Sequence, residues 1–266
     1  MANGRGPSNG SLTKFWEDLM RLIAAVIASA TLILAAPAFA RDKAWYVGVE
    51  GGPMHVPEIK FDIGGVRPAA DARQDTGFDV DGVVGYDFGN FRLEAEVGYR
   101  ESGLREYTSL VPIPIEVPAF APAGPYRDVA GRTSALSFMI NGMLDFGDED
   151  GISGFVGGGV GVARAKLAEY RLRNTAAFLE TEQDTFAWQL VAGVRKAVSK
   201  RVDLGLKYRY FQTGMIEADD RAGRQNRLGL ATHSLLFGFT YNFGAPPSPP
   251  PPAPPEPNPN PTAPVM

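Results

Sequence analysis

The stretch from Phe78 to Arg100, FDVDGVVGYDFGNFRLEAEVGYR, constrains the chain more than any other. It alternates with period two. Phe78, Val80, Val84, Tyr86 and Phe88 hold even positions, with Asp79, Asp81 and Asp87 between them. After Gly89-Asn90 the parity reverses. Phe91, Leu93, Ala95, Val97 and Tyr99 are apolar, and Arg92, Glu94, Glu96 and Arg100 alternate with them. Successive side chains of a strand point to opposite faces, and Gly-Asn between two such runs is a two-residue hairpin loop. Each arm is about ten residues, the length at which a tilted strand crosses the hydrocarbon of a bilayer. The expectation is a transmembrane hairpin, greasy face to lipid and charged face to a lumen.

With Gly89 and Asn90 as the loop, paired residue numbers sum to 179. Asp87 then faces Arg92 and Asp79 faces Arg100 on the inner side. Tyr86–Leu93, Val84–Ala95 and Val80–Tyr99 pair on the outer side. A slip of one residue would turn the charged row to lipid, at about 2–4 kcal/mol for each Arg or Lys at the midplane. Glu94 and Glu96 face Gly85 and Val83, so their expected cations are Arg195, Lys207 or Arg209 across the lumen.

The same rhythm runs through the chain. Further strands are predicted at Ala44–Gly52, Thr133–Phe146, from Ser153 onward, at Thr185–Val198, Arg201–Phe211 and Leu228–Phe243. Residues 53–75, 106–130, 171–183 and 212–227 read as long loops, the second rich in proline and apolar. Gly147–Gly151 and Ser199-Lys200 read as short turns. The fold class is therefore all-β: an eight-stranded antiparallel up-and-down transmembrane β-barrel, with short turns on one side and long loops on the other. One aromatic girdle is expected from Trp45, Phe88, Phe91, Phe146, Phe155, Tyr241 and Phe243, and the other from Phe78, Tyr99, Trp188, Tyr208 and Tyr210. By parity the lumen holds Glu50, Asp79, Asp81, Asp87, Glu94, Glu96, Asp145 and Asp203 against Arg92, Arg100, Arg195, Lys207 and Arg209. Eight strands enclose only enough space for side chains, and buried charges need partners, so this set reads first as a satisfied polar core and second as an ion path. Gly157, Gly159 and Gly161 share the inner face and clear space for large charged neighbours. Arg164 and Lys166 continue the outward face of Val156, Val160 and Val162, and belong beyond the hydrocarbon or after a bulge.

Met20–Ala40, MRLIAAVIASATLILAAPAFA, has a basic start, an apolar run and an A-x-A cleavage site. Glu17 and Asp18 fit a leader poorly, so the expected start is Met20, with cleavage after Ala40. The barrel domain then spans 41–244, and 245–266 is a proline-rich periplasmic hinge, a semi-rigid spacer. The 266 residues carry a formal charge of −4 and no cysteine. Mild acidity argues against a nucleic-acid partner, and no cofactor or metal is expected. Of the two histidines, His55 falls in a loop and His233 on the last strand. Adjacent His233 and Ser234 point to opposite faces, so no hydrolytic pair forms and no enzyme is expected.

AWYVGVEGG, YDFGNFRLEAEVGYR and HSLLFGFTYNFG resemble the OmpA-like transmembrane β-barrel domain over about residues 43–244. Gly238, Tyr241 and Phe243 resemble its terminal assembly signal, read by the barrel assembly machinery, although Leu236 stands where a polar residue is usual. The resemblance implies the outer membrane of a Gram-negative bacterium, outer-membrane lipid as surroundings, and a hinge that in relatives leads to a peptidoglycan-binding domain. None of that domain is present, so this chain is expected to be the barrel half of a longer protein, without peptidoglycan contact of its own. The expected function is structural: envelope integrity and display of surface loops. The alternatives are a small low-conductance porin and a surface adhesin or antigen that meets a surface-loop partner through 106–130.

Overall fold

The computed structural model describes residues 44–147, 151–199 and 201–243. The leader, its cleavage site after Ala40 and the hinge at 245–266 lie outside the described residues. In chain order the strands are β1 (Trp45–His55), β2 (Ile59–Ile63), β3 (Val66–Gln74), β4 (Gly77–Asp87), β5 (Phe91–Ser109), β6 (Ile113–Glu116), β7 (Ala119–Ala121), β8 (Gly124–Tyr126), β9 (Val129–Gly147), β10 (Ile152–Leu172), β11 (Leu179–Ala197), β12 (Val202–Thr213), β13 (Ile216–Asp219), β14 (Gln225–Leu228) and β15 (Ala231–Asn242). Eight of them close an antiparallel ring in the order β1, β4, β5, β9, β10, β11, β12, β15 and back to β1. Closure removes the sheet edges that hydrocarbon cannot satisfy.

The β4–β5 hairpin keeps the register read from its sequence, from Phe78 opposite Glu101 down to Asp87 opposite Arg92. The Phe88 N–H closes the turn on the Phe91 carbonyl at 2.8 Å. Gly89 has φ +103°, a left-handed conformation that glycine adopts without steric cost. The Asp87 carboxylate accepts its N–H at 2.7 Å.

The four stretches read as loops are mostly strand. β5, β9, β10 and β11 run 19, 19, 21 and 19 residues. At about 3.3 Å per residue and a tilt near 40° they rise roughly 50 Å, against about 30 Å of hydrocarbon. Above the band the other four ring strands are replaced. β3 pairs with the upper part of β5, β2 with β3, β14 with β2 and β13 with β14. The Glu217 N–H on β13 meets the Gln183 Oε1 on β11 at 2.7 Å, which completes the circuit. The wall thus continues beyond the membrane as a second storey. The proline-rich stretch adds β8 to the edge of β5 and folds β6 and β7 into a two-stranded sheet of their own. Pro114 sits in that small sheet, where no central ladder needs its missing N–H.

The face pattern inverts at the boundary between storeys. On β10 the outward residues Val156 and Val160 give way to Arg164 and Lys166, while the inward glycines give way to buried Ala163, Ala165 and Leu167. On β11 outward Phe186 and Leu190 give way to Asp184 and Glu182. No bulge lies between Val162 and Lys166, so Arg164 and Lys166 stand above the hydrocarbon. Arg164 bonds Asp184 at 2.8 Å, and Lys166 meets Glu182 at 3.3 Å. Below the boundary the barrel is greasy outside and polar within; above it the arrangement is that of a water-soluble protein. This inversion hid the upper strands from a reading that sought apolar residues on the lipid face.

Three smaller expectations change. The last barrel strand starts at Ala231, because Leu228 belongs to β14. Phe155 leaves the girdle: it is buried in the lumen with Met143 and Val191, in space that Gly193 opens, since a Cβ there would stand 2.6 Å from its ring. Gly157 and Gly161 are approached by Met143 and Met139, and Gly159 by Asn141, so the neighbours they clear space for are not charged.

Candidate functional site

The lumen of the lower storey holds two tiers of charge. In the middle tier Arg209, with no solvent exposure, reaches Asp81 at 2.7 Å, Asp79 at 3.1 Å and Glu96 at 3.2 Å. Lys207 forms an ion pair with Glu50. Arg100 lies 3.6 Å from Asp79, its cross-strand neighbour, and its guanidinium covers the Phe211 ring at 3.6 Å from the centroid. Ser234 donates to Asp79 at 2.7 Å, and Asn141 and Gln189 each donate to Glu96 at 2.9 Å. Alternation in β1, β4, β5, β12 and β15 brings these side chains to one height. Gly238 lies opposite Glu50; a Cβ there would come within 3.2 Å of Glu50 Cγ, so the glycine makes room for the carboxylate.

The lower tier departs from expectation. Asp87 and Arg92 are opposite in register, yet Arg92 turns along the wall to Asp145, with bonds of 2.6 and 2.9 Å. Asp87 meets Arg195 instead, at 3.6 Å. Two bonds in parallel fit a planar guanidinium to a carboxylate better than one facing contact does. Glu94 was expected to seek a cation across the lumen. It sits 3.8 Å from Arg92 on its own strand and accepts a bond from the Tyr46 hydroxyl at 2.8 Å. Of the two glutamates, Glu96 is the one that reaches across. Asp203 accepts from Asn242 at 2.8 Å. Between the tiers, a cavity touched by Glu50, Glu94, Arg195, Asp203 and Lys207 amounts to about 20 Å³, room for about one water.

The feature that sequence reasoning missed lies above. Among the described residues, the second storey encloses an apolar core of 23 buried side chains, including Ile59, Phe61, Tyr107, Leu167, Tyr170 and Ile216. Its only legible signal is period-two alternation of opposite polarity, as in Lys60–Phe61–Asp62 and Arg164–Ala165–Lys166. Within it the Tyr170 hydroxyl meets Thr133 Oγ1 at 2.6 Å and accepts from Gln74 at 2.8 Å. Burial pushes its ionisation up to about 12, and burial likewise raises that of Tyr107. The core covers the charged tiers from outside.

The histidines occupy the outer rim. His233 points outward, its Nδ1 2.7 Å from the Tyr208 hydroxyl, while Ser234 points inward to Asp79. They share no site. Tyr241 and Phe243 pack edge to face at the other end of β15, with ring centres 5.1 Å apart.

The family model of the outer membrane protein beta-barrel domain matches residues 26–243. Outer membrane protein PagN of Salmonella typhimurium is 23% identical over 126 residues, 44% of this chain and 53% of PagN. The match thus spans about half the length of that relative. Among solved structures, OprG of Pseudomonas aeruginosa aligns with a TM-score of 0.49 and 13% identity over 78% of this chain and 100% of that chain. Neisserial surface protein A aligns with a TM-score of 0.42 and 16% identity over 74% of this chain and 96% of that chain.

Proposed function

The chain belongs to the outer membrane protein beta-barrel domain family, and from that premise we propose that it is a closed, non-catalytic barrel that braces the envelope and holds a folded β-structure outside the cell. Its place is the outer membrane of a Gram-negative bacterium. One observation carries the reading: the apolar core of the second storey lies across the axial route from outside the cell to the charged tiers. A hydrated ion would have to displace Phe61, Tyr107 and Tyr170, all essentially without solvent exposure, and then break the Arg209 cluster. The assignment of Gly238, Tyr241 and Phe243 to recognition by the assembly machinery belongs to the same proposal. Planar-bilayer recording tests it. The refolded barrel should give a flat trace at voltages where open channels of this size step, and regular unitary steps would replace the bracing role with that of a pore.

A second reading, a contact surface for another cell or protein, is favoured by the tip around β6 and β7. Leu110, Val117 and Phe120 are 68%, 54% and 44% exposed there, and Glu116 is the only charge between Tyr107 and Tyr126. Exposed apolar patches of this kind mark interaction sites. Removal of residues 110–125 should abolish adhesion of expressing cells while the barrel keeps its heat-dependent gel shift. Adhesion that survives the deletion removes this reading.

A further inference from the structure

We propose that His55 and His233 together bind a borderline divalent cation, of the zinc, nickel or copper class, which clamps the seam where the barrel closes. The chain has only two histidines, 178 positions apart in sequence, yet the fold sets them directly opposite each other on β1 and β15. Both lie on the outward face at the upper rim of the lipid-facing band, so their side chains stand side by side, about 5 Å apart at Cβ. Their ring centres are 6.5 Å apart. An ion bound at about 2.1 Å from a ring nitrogen lies roughly 3.2 Å from the ring centre, so the two centres stand at the full span of one ion held between nitrogens on opposite sides of it, and a tetrahedral angle asks the rings to close by roughly 1 Å. Imidazole is the side chain that suits these metals best.

The surroundings fit a ligand role. The Tyr208 hydroxyl holds His233 Nδ1 at 2.7 Å. With Nδ1–H donating to that oxygen, the lone pair of Nε2 is free for the ion, and the ring is oriented; such an outer partner is the usual support of a metal-binding histidine. Tyr208 is a positioning residue in this scheme. Tyr210 packs against the His233 ring from one side, centre to centre 5.1 Å. Glu58 shares a groove of about 710 Å³ with His55, but its carboxylate already holds Arg73 at 2.6 Å, so water completes the coordination sphere.

The position gives the ion something to do. β1 and β15 are the first and last strands of the ring, and their pairing is what closes it. The ladder there is interrupted: Ser234 pairs with Met54 and Phe237 with Gly51, while the positions between lie opposite Gly52 and Pro53. Proline has no N–H to give. A cation across His55 and His233 would fasten the end of the seam just above this gap.

The test uses the full chain refolded in detergent and stripped with chelator. Titration with zinc, nickel and copper, read by calorimetry, should show one ion per barrel at micromolar affinity. The temperature of heat-dependent gel conversion should rise with the ion. H55A and H233A should each lose both effects, with at least a tenfold drop in affinity. Y208F, which keeps both ligands, should weaken binding several-fold less than either. In the copper-loaded barrel, electron paramagnetic resonance should show coupling to two nitrogens. Binding equal in the H55A/H233A chain, or the absence of saturable binding to a wild-type barrel that shows its normal gel shift, would overturn the site. Binding without a rise in conversion temperature would overturn the clamp.

Discussion

Arg209 is the residue on which the lower storey turns. It is fully buried and within 3.2 Å of three carboxylates, Asp79, Asp81 and Glu96. A buried pair adds little net stability over an apolar substitute, but removing one partner leaves the other charge stranded, at about 3–5 kcal/mol. R209M should therefore cost at least that much in urea unfolding from lipid vesicles. E96Q should cost less, a few kcal/mol at most, since its amide can still accept bonds from Asn141 and Gln189; equal losses would mean that the tier is not organised around the arginine. Tyr170 gives a residue-scale test of the upper core. Its folded ionisation lies near 12, against about 10 in an unfolded chain. The fold thus favours the neutral phenol. Below pH 10 both states are protonated and nothing changes; between pH 10 and 12 the unfolded state loses its proton first, and stability falls as pH rises. In denaturation curves Y170F should remove part of that alkaline loss, and an identical slope for both proteins would place Tyr170 in a looser setting.

At the scale of the element, β10 shows what the sequence could disclose. Its lower half announces itself by valines on one face and glycines on the other. Its upper half alternates just as strictly, through Arg164–Ala165–Lys166–Leu167, but with the apolar side turned inward. A search for lipid-facing residues loses its face at Val162, so Arg164 and Lys166 read as lying beyond the hydrocarbon or after a bulge, and the chain from 171 as loop. The β4–β5 hairpin was legible to the residue because a two-residue turn leaves one register. The partners of Arg92 and Glu94 were not, because a strand pattern fixes the side of the wall a side chain leaves from and not the direction it then leans. Hydrogen exchange in nanodiscs separates strand from loop directly. Amides of Leu104–Ser109, Ala70–Gln74 and Leu179–Gln183 should exchange slowly, at rates nearer those of the membrane strands than of Arg173–Ala177; uniformly fast exchange would return them to loop.

For the whole molecule, the reversal of faces sets its depth in the membrane. Outward Val162 is the last apolar residue of β10 before Arg164, and outward Tyr99 the last of β5 before Glu101. The chain has no cysteine, so single labels report depth cleanly. A spin label at V162C should collide with dissolved oxygen, which concentrates in hydrocarbon, and one at K166C with a water-soluble nickel chelate; the opposite ranking would move the membrane plane. Because the second storey is a closed wall around its own core, the protein is not free to vary its outer face everywhere. New residues in β2, β3, β13 or β14 would break a ladder or displace core. The bends are different. Gly64, Gly65 and Gly223 all have positive φ, and a Cβ on any of them would meet open space. Even there the Gly64 N–H is tied to the Gln225 carbonyl at 3.0 Å and the Gly223 N–H to the Asp220 carbonyl at 2.8 Å, so Gly65 is left as the freer point. Under immune or phage pressure, diversity should gather at a few such tips, like changing signs on a fixed tower, and foreign epitopes grafted for display should be tolerated at Gly65 and rejected five residues away at buried Ala70 in β3.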